Sequence, residues 1–153
     1  MTSDQKAIAE AGSTQEVMKV RYTAKTHTLG GRRGGVSRSD DGRLDIKFSA
    51  AGVPGTGTNP EQLFAAGWSA CFISSMGLAA NRMNVRLPAD VAIDAEINLC
   101  NSGDHYFLRA RLDVSLPGLE PEVAQAIVDA AHGETCAYSN ATRGNIDVTV
   151  KLV

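Results

Sequence analysis

A run of twenty residues from Gln62 to Asn81 carries no charged side chain, and it restricts the possible folds more than any other segment. Asn59 is a good helix N-cap, Pro60 suits the first helical position, and Gln62 follows the cap by three residues. We therefore expect a helix from Pro60 to about residue 80. A helix that is apolar on all sides is either buried in a protein or inserted in a bilayer. The apolar side chains cover most of its circumference: Leu63, Phe64, Trp68, Phe72, Ile73, Met76 and Leu78.

Twenty uncharged residues are also long enough to span a membrane. Two features favour the interior of a protein instead. No basic cluster flanks the segment to set an orientation. Small and polar residues also dilute its apolar character, namely Gly67, Ser69, Ser74, Ser75 and Gly77. We predict a buried central helix and no membrane association.

Short alternating segments precede this helix. Residues 20–25 and 44–48 alternate apolar and polar side chains, as half-buried strands do. A turn with four glycines occupies residues 30–35, and Asp41-Gly42 forms a second turn. These segments predict strands in front of the helix.

Longer alternating segments follow the helix. Residues 91–99 and 108–116 flank a turn at 101–104 and predict an antiparallel hairpin. An apolar stripe from residue 123 predicts a second helix that ends at Gly133, and residues 146–152 predict a closing strand. The predicted order is three strands, helix, two strands, helix and strand. This order favours an α+β fold with an antiparallel or mixed sheet over a doubly wound sheet.

Length and charge narrow the function classes. A chain of 153 residues predicts one domain, over 18–153, after an N-terminal tail or extension at 1–17. The net charge of −2 argues against a nucleic-acid binder and a polybasic membrane anchor. The tail lacks the basic and apolar regions of a signal peptide, and three cysteines make no disulfide framework. We therefore expect a cytoplasmic protein with free thiols.

Cys71, in the middle of the apolar helix, has two interpretations. It could pack as a small hydrophobic residue. It could instead be a nucleophile, which requires a thiolate and, so far from the helix N-terminus, a nearby cation. Arg32 or Arg33 in the glycine-rich turn could supply that cation. Glu61 suits the first helical turn by its charge alone, or could hold an arginine in a bidentate pair.

The other cysteines and the histidines carry weaker signals. Cys136 follows the second helix, and the sequence leaves open whether it meets Cys71. Cys100 precedes the hairpin turn and is interpreted as incidental. The histidines have no metal-ligand spacing and are interpreted as surface or strand residues, so no metal site is predicted: His27, His105 and His132.

From about Val20 to its end, the chain resembles the organic hydroperoxide resistance (Ohr) subgroup of the OsmC/Ohr family. The matching stretches are Tyr22-Thr23-Ala24, Gly30-Gly31-Arg32, Asn59 to Phe72, and Tyr138 to Ile146. The resemblance implies an OsmC/Ohr-like α+β fold with antiparallel or mixed sheets around long central helices. It also implies an intertwined homodimer with two active sites at the subunit interface.

The resemblance further implies a metal-free cysteine peroxidase for organic hydroperoxides, including lipid hydroperoxides. Cys71 corresponds to the cysteine that attacks the peroxide, and Cys136 to the one that resolves the sulfenic acid as a Cys71–Cys136 disulfide. Arg32 corresponds to the arginine that stabilises the thiolate, and Glu61 to the carboxylate that orients it. No bound cofactor is implied. The implied reductant is dihydrolipoamide on a lipoylated protein.

Two positions depart from the family pattern: Ala137 replaces a usual proline, and Arg33 follows Arg32. We favour Arg32 because it directly follows Gly31. Ten residues of helix separate Glu61 from Cys71 by about 15 Å. Either Arg32 reaches across, or a partner subunit supplies Glu61.

We expect apolar side chains of the helix to line a pocket for a bulky peroxide, namely Leu63, Phe64, Trp68, Phe72 and Met76. Two alternatives stay open: an OsmC-type peroxidase of different substrate preference, and a non-catalytic dimeric redox sensor. Turnover of an organic peroxide with dihydrolipoamide separates an enzyme from a sensor.

Overall fold

A computed structural model describes residues 17–153. The predicted tail therefore lies, apart from Val17, outside the described residues. The order of the main elements agrees with the prediction, and a π-helical turn and a third helix are additional. The elements are β1 (Thr26–Leu29), β2 (Val36–Ser39), β3 (Asp45–Lys47), α1 (Pro60–Arg82), β4 (Ala92–Ser102), β5 (His105–Ser115), α2 (Pro121–Ala130), the π-helical turn (Ala131–Thr135), α3 (Ala137–Thr142) and β6 (Asp147–Leu152).

The first three strands form a small antiparallel sheet in the order β1-β2-β3. The prediction of a strand at 20–25 is wrong, because β1 begins only at Thr26. Val20 and Tyr22 are 76% and 77% exposed, and no strand pairs with their segment within residues 17–153. Alternation describes the side chains of a segment, but a strand also needs a hydrogen-bonded neighbour.

The second sheet is mixed, as predicted, in the order β4-β5-β6. Strands β4 and β5 form the predicted antiparallel hairpin, paired from Ala92 with Ser115 to Ser102 with His105. Strand β6 runs parallel to β5. Alternate β5 side chains enter the core, including Leu112 and Val114, both with no exposed surface.

Helix α1 starts as predicted. The Asn59 side chain accepts a hydrogen bond from the Gln62 amide at 2.8 Å, and Pro60 opens the first turn. One face of α1 packs in the core through Trp68, Phe72 and Met76, all with no exposed surface.

The prediction that α1 is buried on all sides is wrong for the single chain. Its opposite face is exposed along a line that we call the outer stripe: Gln62, Ala66, Ala70, Ser74 and Leu78. The helix is long and apolar enough to cross a bilayer by length and composition, a test that core helices also pass. Its core face packs against the sheet and the other helices of the domain.

Candidate active site

Two free thiols meet at the centre of the fold. The Cys136 sulfur lies 3.6 Å from the Cys71 sulfur, although 65 residues separate them in the chain. Cys71 is partly exposed on α1, whereas Cys136 has no exposed surface. Cys71 is therefore the thiol of this pair that an incoming molecule can reach.

Cys136 is held between the π-helical turn and α3. Its amide donates to the Ala131 carbonyl at 2.9 Å, and its carbonyl accepts from the Asn140 amide at 2.9 Å. Both backbone groups of Cys136 are thus hydrogen-bonded at the junction of the two elements. π-Helical turns are rare and frequently occur at functional sites.

A polar network lies beneath Cys136. The Trp68 indole N–H donates to Ser139 Oγ at 3.1 Å, and Ser139 Oγ lies 2.9 Å from His132 Nδ1. The Phe72 ring stacks on the His132 imidazole with centroids 6.1 Å apart. Two fully buried side chains of α1 therefore fix the polar groups that accompany Cys136.

Burial shifts the titration of both ionisable groups in this network. Burial is the main cause that raises the pKa of the Cys136 thiol, while hydrogen bonds from the Ser139 hydroxyl and amide oppose it. Burial also lowers the pKa of His132, and the nearby Arg143 charge lowers it further. Both groups are therefore favoured in their neutral forms.

A bidentate ion pair joins Arg32 to Glu61. The guanidinium donates to the two carboxylate oxygens at 2.8 and 3.3 Å. The hydrogen bond from Arg32 lowers the pKa of Glu61, and the same bond raises the pKa of Arg32. The predicted pairing of Glu61 with an arginine is therefore present, and Arg32 is the arginine that makes it.

The glycine-rich turn before β2 carries Arg32 to this position. The Gly35 amide donates to the Gly31 carbonyl at 2.9 Å and closes the turn. A Cβ on Gly35 would lie 2.5 Å from the Leu29 carbonyl oxygen, so only glycine fits there. The turn exposes Arg32 toward the first turn of α1.

Within one chain, the ion pair and the thiols occupy different parts of α1. Glu61 is in the first helical turn, and Cys71 follows ten residues later, about 15 Å along the helix axis. Arg32 is bound at the Glu61 end. The four predicted site residues therefore form two pairs: Cys71 with Cys136, and Arg32 with Glu61.

The predicted apolar wall is wrong in part. Trp68, Phe72 and Met76 have no exposed surface and belong to the core, so they do not line an open pocket. The residues available for an apolar wall are Leu63 and Phe64, which are partly exposed, and Tyr138, whose ring meets that of Phe64 edge to face at 5.8 Å. A periodic apolar pattern does not tell which side of an apolar helix faces the core.

Sequence reasoning also misplaced one histidine. His132 is a half-buried member of the π-helical turn rather than a surface or strand residue, whereas His27 and His105 are exposed on strands. Ser139 was given no role of its own. The three-residue spacing from Cys136 to Ser139 was the available signal, because an N-cap residue lies close to the third residue of the helix that it starts. Residues 17–153 contain no cluster of three metal-ligating side chains.

The chain is similar in sequence to known proteins over most of its length. Residues 53–151 match the family described as OsmC-like protein. An organic hydroperoxide resistance protein of Xanthomonas axonopodis pv. citri is 43% identical over 88% of this chain and 96% of its own length. The organic hydroperoxide resistance protein OhrB of Bacillus subtilis is 40% identical over 86% of this chain and 97% of its own length.

Solved structures agree with the sequence matches. The crystal structure of an organic hydroperoxide resistance protein from Legionella pneumophila superposes with a TM-score of 0.80 at 38% identity, covering 88% of this chain and 98% of that one. Bacillus subtilis OhrB superposes with a TM-score of 0.76 at 41% identity, covering 86% and 98%. The predicted α+β fold of the OsmC/Ohr type is thereby confirmed.

Proposed function

This chain belongs to the OsmC-like family, within its organic hydroperoxide resistance proteins, and we propose that it is a cysteine-based peroxidase that reduces organic hydroperoxides to alcohols. The family supports a role in the detoxification of organic hydroperoxides. The cysteine chemistry is our proposal. It depends on one observation above all: the 3.6 Å contact between the Cys71 and Cys136 sulfurs.

The proposed reaction has two steps at these thiols. The Cys71 thiolate attacks the distal oxygen of the hydroperoxide, the O–O bond breaks, and the alcohol leaves with a proton, so that Cys71 becomes a sulfenic acid. The Cys136 sulfur then displaces hydroxide from the Cys71 sulfur, and a disulfide forms. The hydroxide takes up a proton and leaves as water. The difference in exposure supports this order, because a peroxide reaches Cys71 but not the buried Cys136.

The Arg32–Glu61 pair is proposed to act on Cys71 across a subunit interface. Arg32 would stabilise the thiolate, and Glu61 would hold the guanidinium in position. The helical distance of about 15 Å within one chain supports a second copy that brings its ion pair to this Cys71. The outer stripe of α1 supports the same homodimer, because an exposed helix face that has no charged side chain and carries Ala66, Ala70 and Leu78 is typical of a contact surface.

Recycling requires an external dithiol. We propose that a dihydrolipoyl group on a lipoylated protein reduces the Cys71–Cys136 disulfide and leaves as lipoyl disulfide. Two electrons and two protons pass from one dithiol to the other pair, so no bound cofactor is needed. We also propose a cytoplasmic location, where both thiols would be kept reduced between turnovers.

Steady-state assays with purified protein test this proposal. With dihydrolipoamide as reductant, we expect turnover of tert-butyl hydroperoxide and much slower turnover of hydrogen peroxide. Faster turnover of hydrogen peroxide would instead support a peroxidase of different substrate preference. A single stoichiometric oxidation without turnover would support a redox sensor.

A further inference from the structure

The environment of Ser139 carries a chemical implication beyond packing. Its side chain has no exposed surface, and its oxygen contacts both the Trp68 indole N–H and His132 Nδ1. Cys136 is the N-cap residue of α3, Ser139 follows it by three residues, and a hydrogen bond from the Ser139 hydroxyl lowers the pKa of the Cys136 thiol against the larger effect of burial. One buried hydroxyl thus connects a thiol to an imidazole.

The donor and acceptor count of this hydroxyl allows two arrangements. The indole N–H only donates, so Trp68 always fills one acceptor position of Ser139 Oγ. In the first arrangement, the Ser139 hydrogen points to His132 Nδ1. In the second, His132 Nδ1 carries a hydrogen and donates to Ser139, whose own hydrogen then points to the Cys136 sulfur. When Cys136 gives its proton to Ser139 Oγ as the first arrangement changes to the second, one proton has moved from the thiol to the imidazole.

We propose that Ser139 and His132 form a proton relay that activates Cys136 in the disulfide-forming step. This inference rests on the proposed function, in which Cys136 resolves the Cys71 sulfenic acid. As the Cys136 sulfur bonds to the Cys71 sulfur, its proton passes to Ser139 Oγ and the Ser139 proton passes to His132 Nδ1. The Cys71 S–O bond breaks and the departing hydroxide takes a proton from solvent to leave as water. His132 then returns its proton to solvent, so the step releases one water and no net proton.

Because Cys136 is buried, it needs a proton acceptor in the disulfide-forming step. The raised pKa of Cys136 keeps it as a thiol at neutral pH, so the resolving nucleophile must lose its proton during the step. His132 is suited to accept it, because burial and Arg143 lower its pKa and leave it neutral at pH 7. Three neighbours act on His132. Arg143 lowers its pKa and also donates a hydrogen bond to the His132 carbonyl, whereas Asp129 from α2 raises its pKa. The Phe72 ring from α1 stacks on the imidazole.

The decisive variant is His132→Asn. Asparagine offers an amide group close to the position of Nδ1, so it keeps a hydrogen-bonding partner for Ser139 but accepts no proton. Ser139→Ala removes the hydroxyl altogether, and His105→Asn is the matched control on the exposed strand β5. The reduced protein receives one equivalent of tert-butyl hydroperoxide. Dimedone trapping follows sulfenic acid at Cys71, and non-reducing peptide mapping follows the disulfide.

The relay predicts that His132→Asn forms sulfenic acid at the wild-type rate but closes the disulfide about 100-fold more slowly, a usual size for proton-transfer catalysis. In the wild type, the rate of disulfide formation should rise with pH as His132 loses its proton. In His132→Asn, that rate should no longer rise with pH. Ser139→Ala should behave likewise, and His105→Asn should match wild type. If His132→Asn forms the disulfide at the wild-type rate and with the wild-type pH profile, the relay is overturned but the proposed function is not. A wild type that forms no sulfenic acid would overturn the proposed function and the relay together.

Discussion

The Cys136 sulfur lies 3.6 Å from the Cys71 sulfur, and only Cys71 has exposed surface. A disulfide bond is about 2.05 Å long, so the two sulfurs need to approach by roughly 1.5 Å to be joined. The exposure and the contact together assign attack on the peroxide to Cys71 and resolution to Cys136 in the proposed reaction.

Replacing each cysteine separates these two roles. Cys71→Ser should abolish peroxide reduction, because serine is no substitute for a thiolate. Cys136→Ser should still reduce one equivalent of tert-butyl hydroperoxide and stop at the sulfenic acid. Single-turnover peroxide consumption, followed by mass spectrometry of the dimedone adduct, measures both.

Cys100→Ala is the control for these variants. Cys100 lies on β4 opposite Phe107, and its thiol contacts only the Asn98 carbonyl, at 3.9 Å, among the hydrogen-bond partners described. It should keep wild-type activity. Equal single-turnover consumption by wild type and Cys71→Ser would refute the assignment of Cys71.

Arg32→Ala should slow alkylation of Cys71 by iodoacetamide at pH 7 by roughly tenfold or more. An ordinary thiol is only a few per cent thiolate at neutral pH, so the loss of a stabilising cation reduces the reactive fraction by about that factor. Glu61→Ala should have a smaller effect, because it acts through Arg32. The pH dependence of alkylation is the measurement.

Arg33→Ala is the matched control for Arg32. Both arginines border the same cavity of about 490 Å³, but Arg32 is the one that pairs with Glu61. Slow alkylation of Cys71 in Arg33→Ala, with normal alkylation in Arg32→Ala, would assign stabilisation of the thiolate to Arg33 instead of Arg32. Normal alkylation in both variants would remove the arginine from the mechanism.

Ser74→Lys tests the proposed dimer. Ser74 lies on the outer stripe, and a lysine there would bury an unpaired charge if a second copy covers the stripe. Light scattering at micromolar concentration should give a dimer for wild type and a monomer for Ser74→Lys, which should also lose peroxidase activity. Ala126→Lys, on the exposed face of α2, should remain a dimer. A monomeric wild type would contradict the cross-subunit site.

Two glycines of α1 should respond in opposite directions to alanine. A Cβ on Gly67 would lie 2.7 Å from the Tyr138 hydroxyl, whereas one on Gly77 would meet Leu87 at an ordinary 3.8 Å. Gly77→Ala should gain about 1 kcal/mol of helix propensity, or roughly 2–4 °C in Tm. Gly67→Ala should lower Tm, because overpacking costs about 1–3 kcal/mol. Thermal unfolding checks both, and a higher Tm for Gly67→Ala would contradict the close packing of Tyr138.

The sequence predicts best where local chemistry is strong. Asn59 and Pro60 start α1 by their side-chain and ring geometry, which need no tertiary contact. The β4–β5 hairpin follows from two long alternating segments and one turn. The family resemblance implied the pairing of Arg32 with Glu61, whereas the residues alone left Arg33 as an alternative.

The sequence predicts least where contacts are distant or signals are absent. Strand β1 is exposed at all four residues and shows no alternation of apolar and polar side chains, so the sequence did not predict it. Helix α3 is six residues long, lacks a side-chain cap, and begins at Ala137 rather than a proline. Without α3, the placement of Ser139 and His132 beneath Cys136 was not predictable. The contact of Cys136 with Cys71 depends on how three helical elements pack, which no local pattern encodes.

The most direct test of the proposed chemistry is to treat the reduced protein with one equivalent of tert-butyl hydroperoxide and map its thiols under non-reducing conditions. The expected result is one tert-butanol per chain, a peptide pair joined through Cys71 and Cys136, and a free Cys100. Peroxide reduction without that disulfide, or a disulfide through Cys100, would contradict the proposed mechanism.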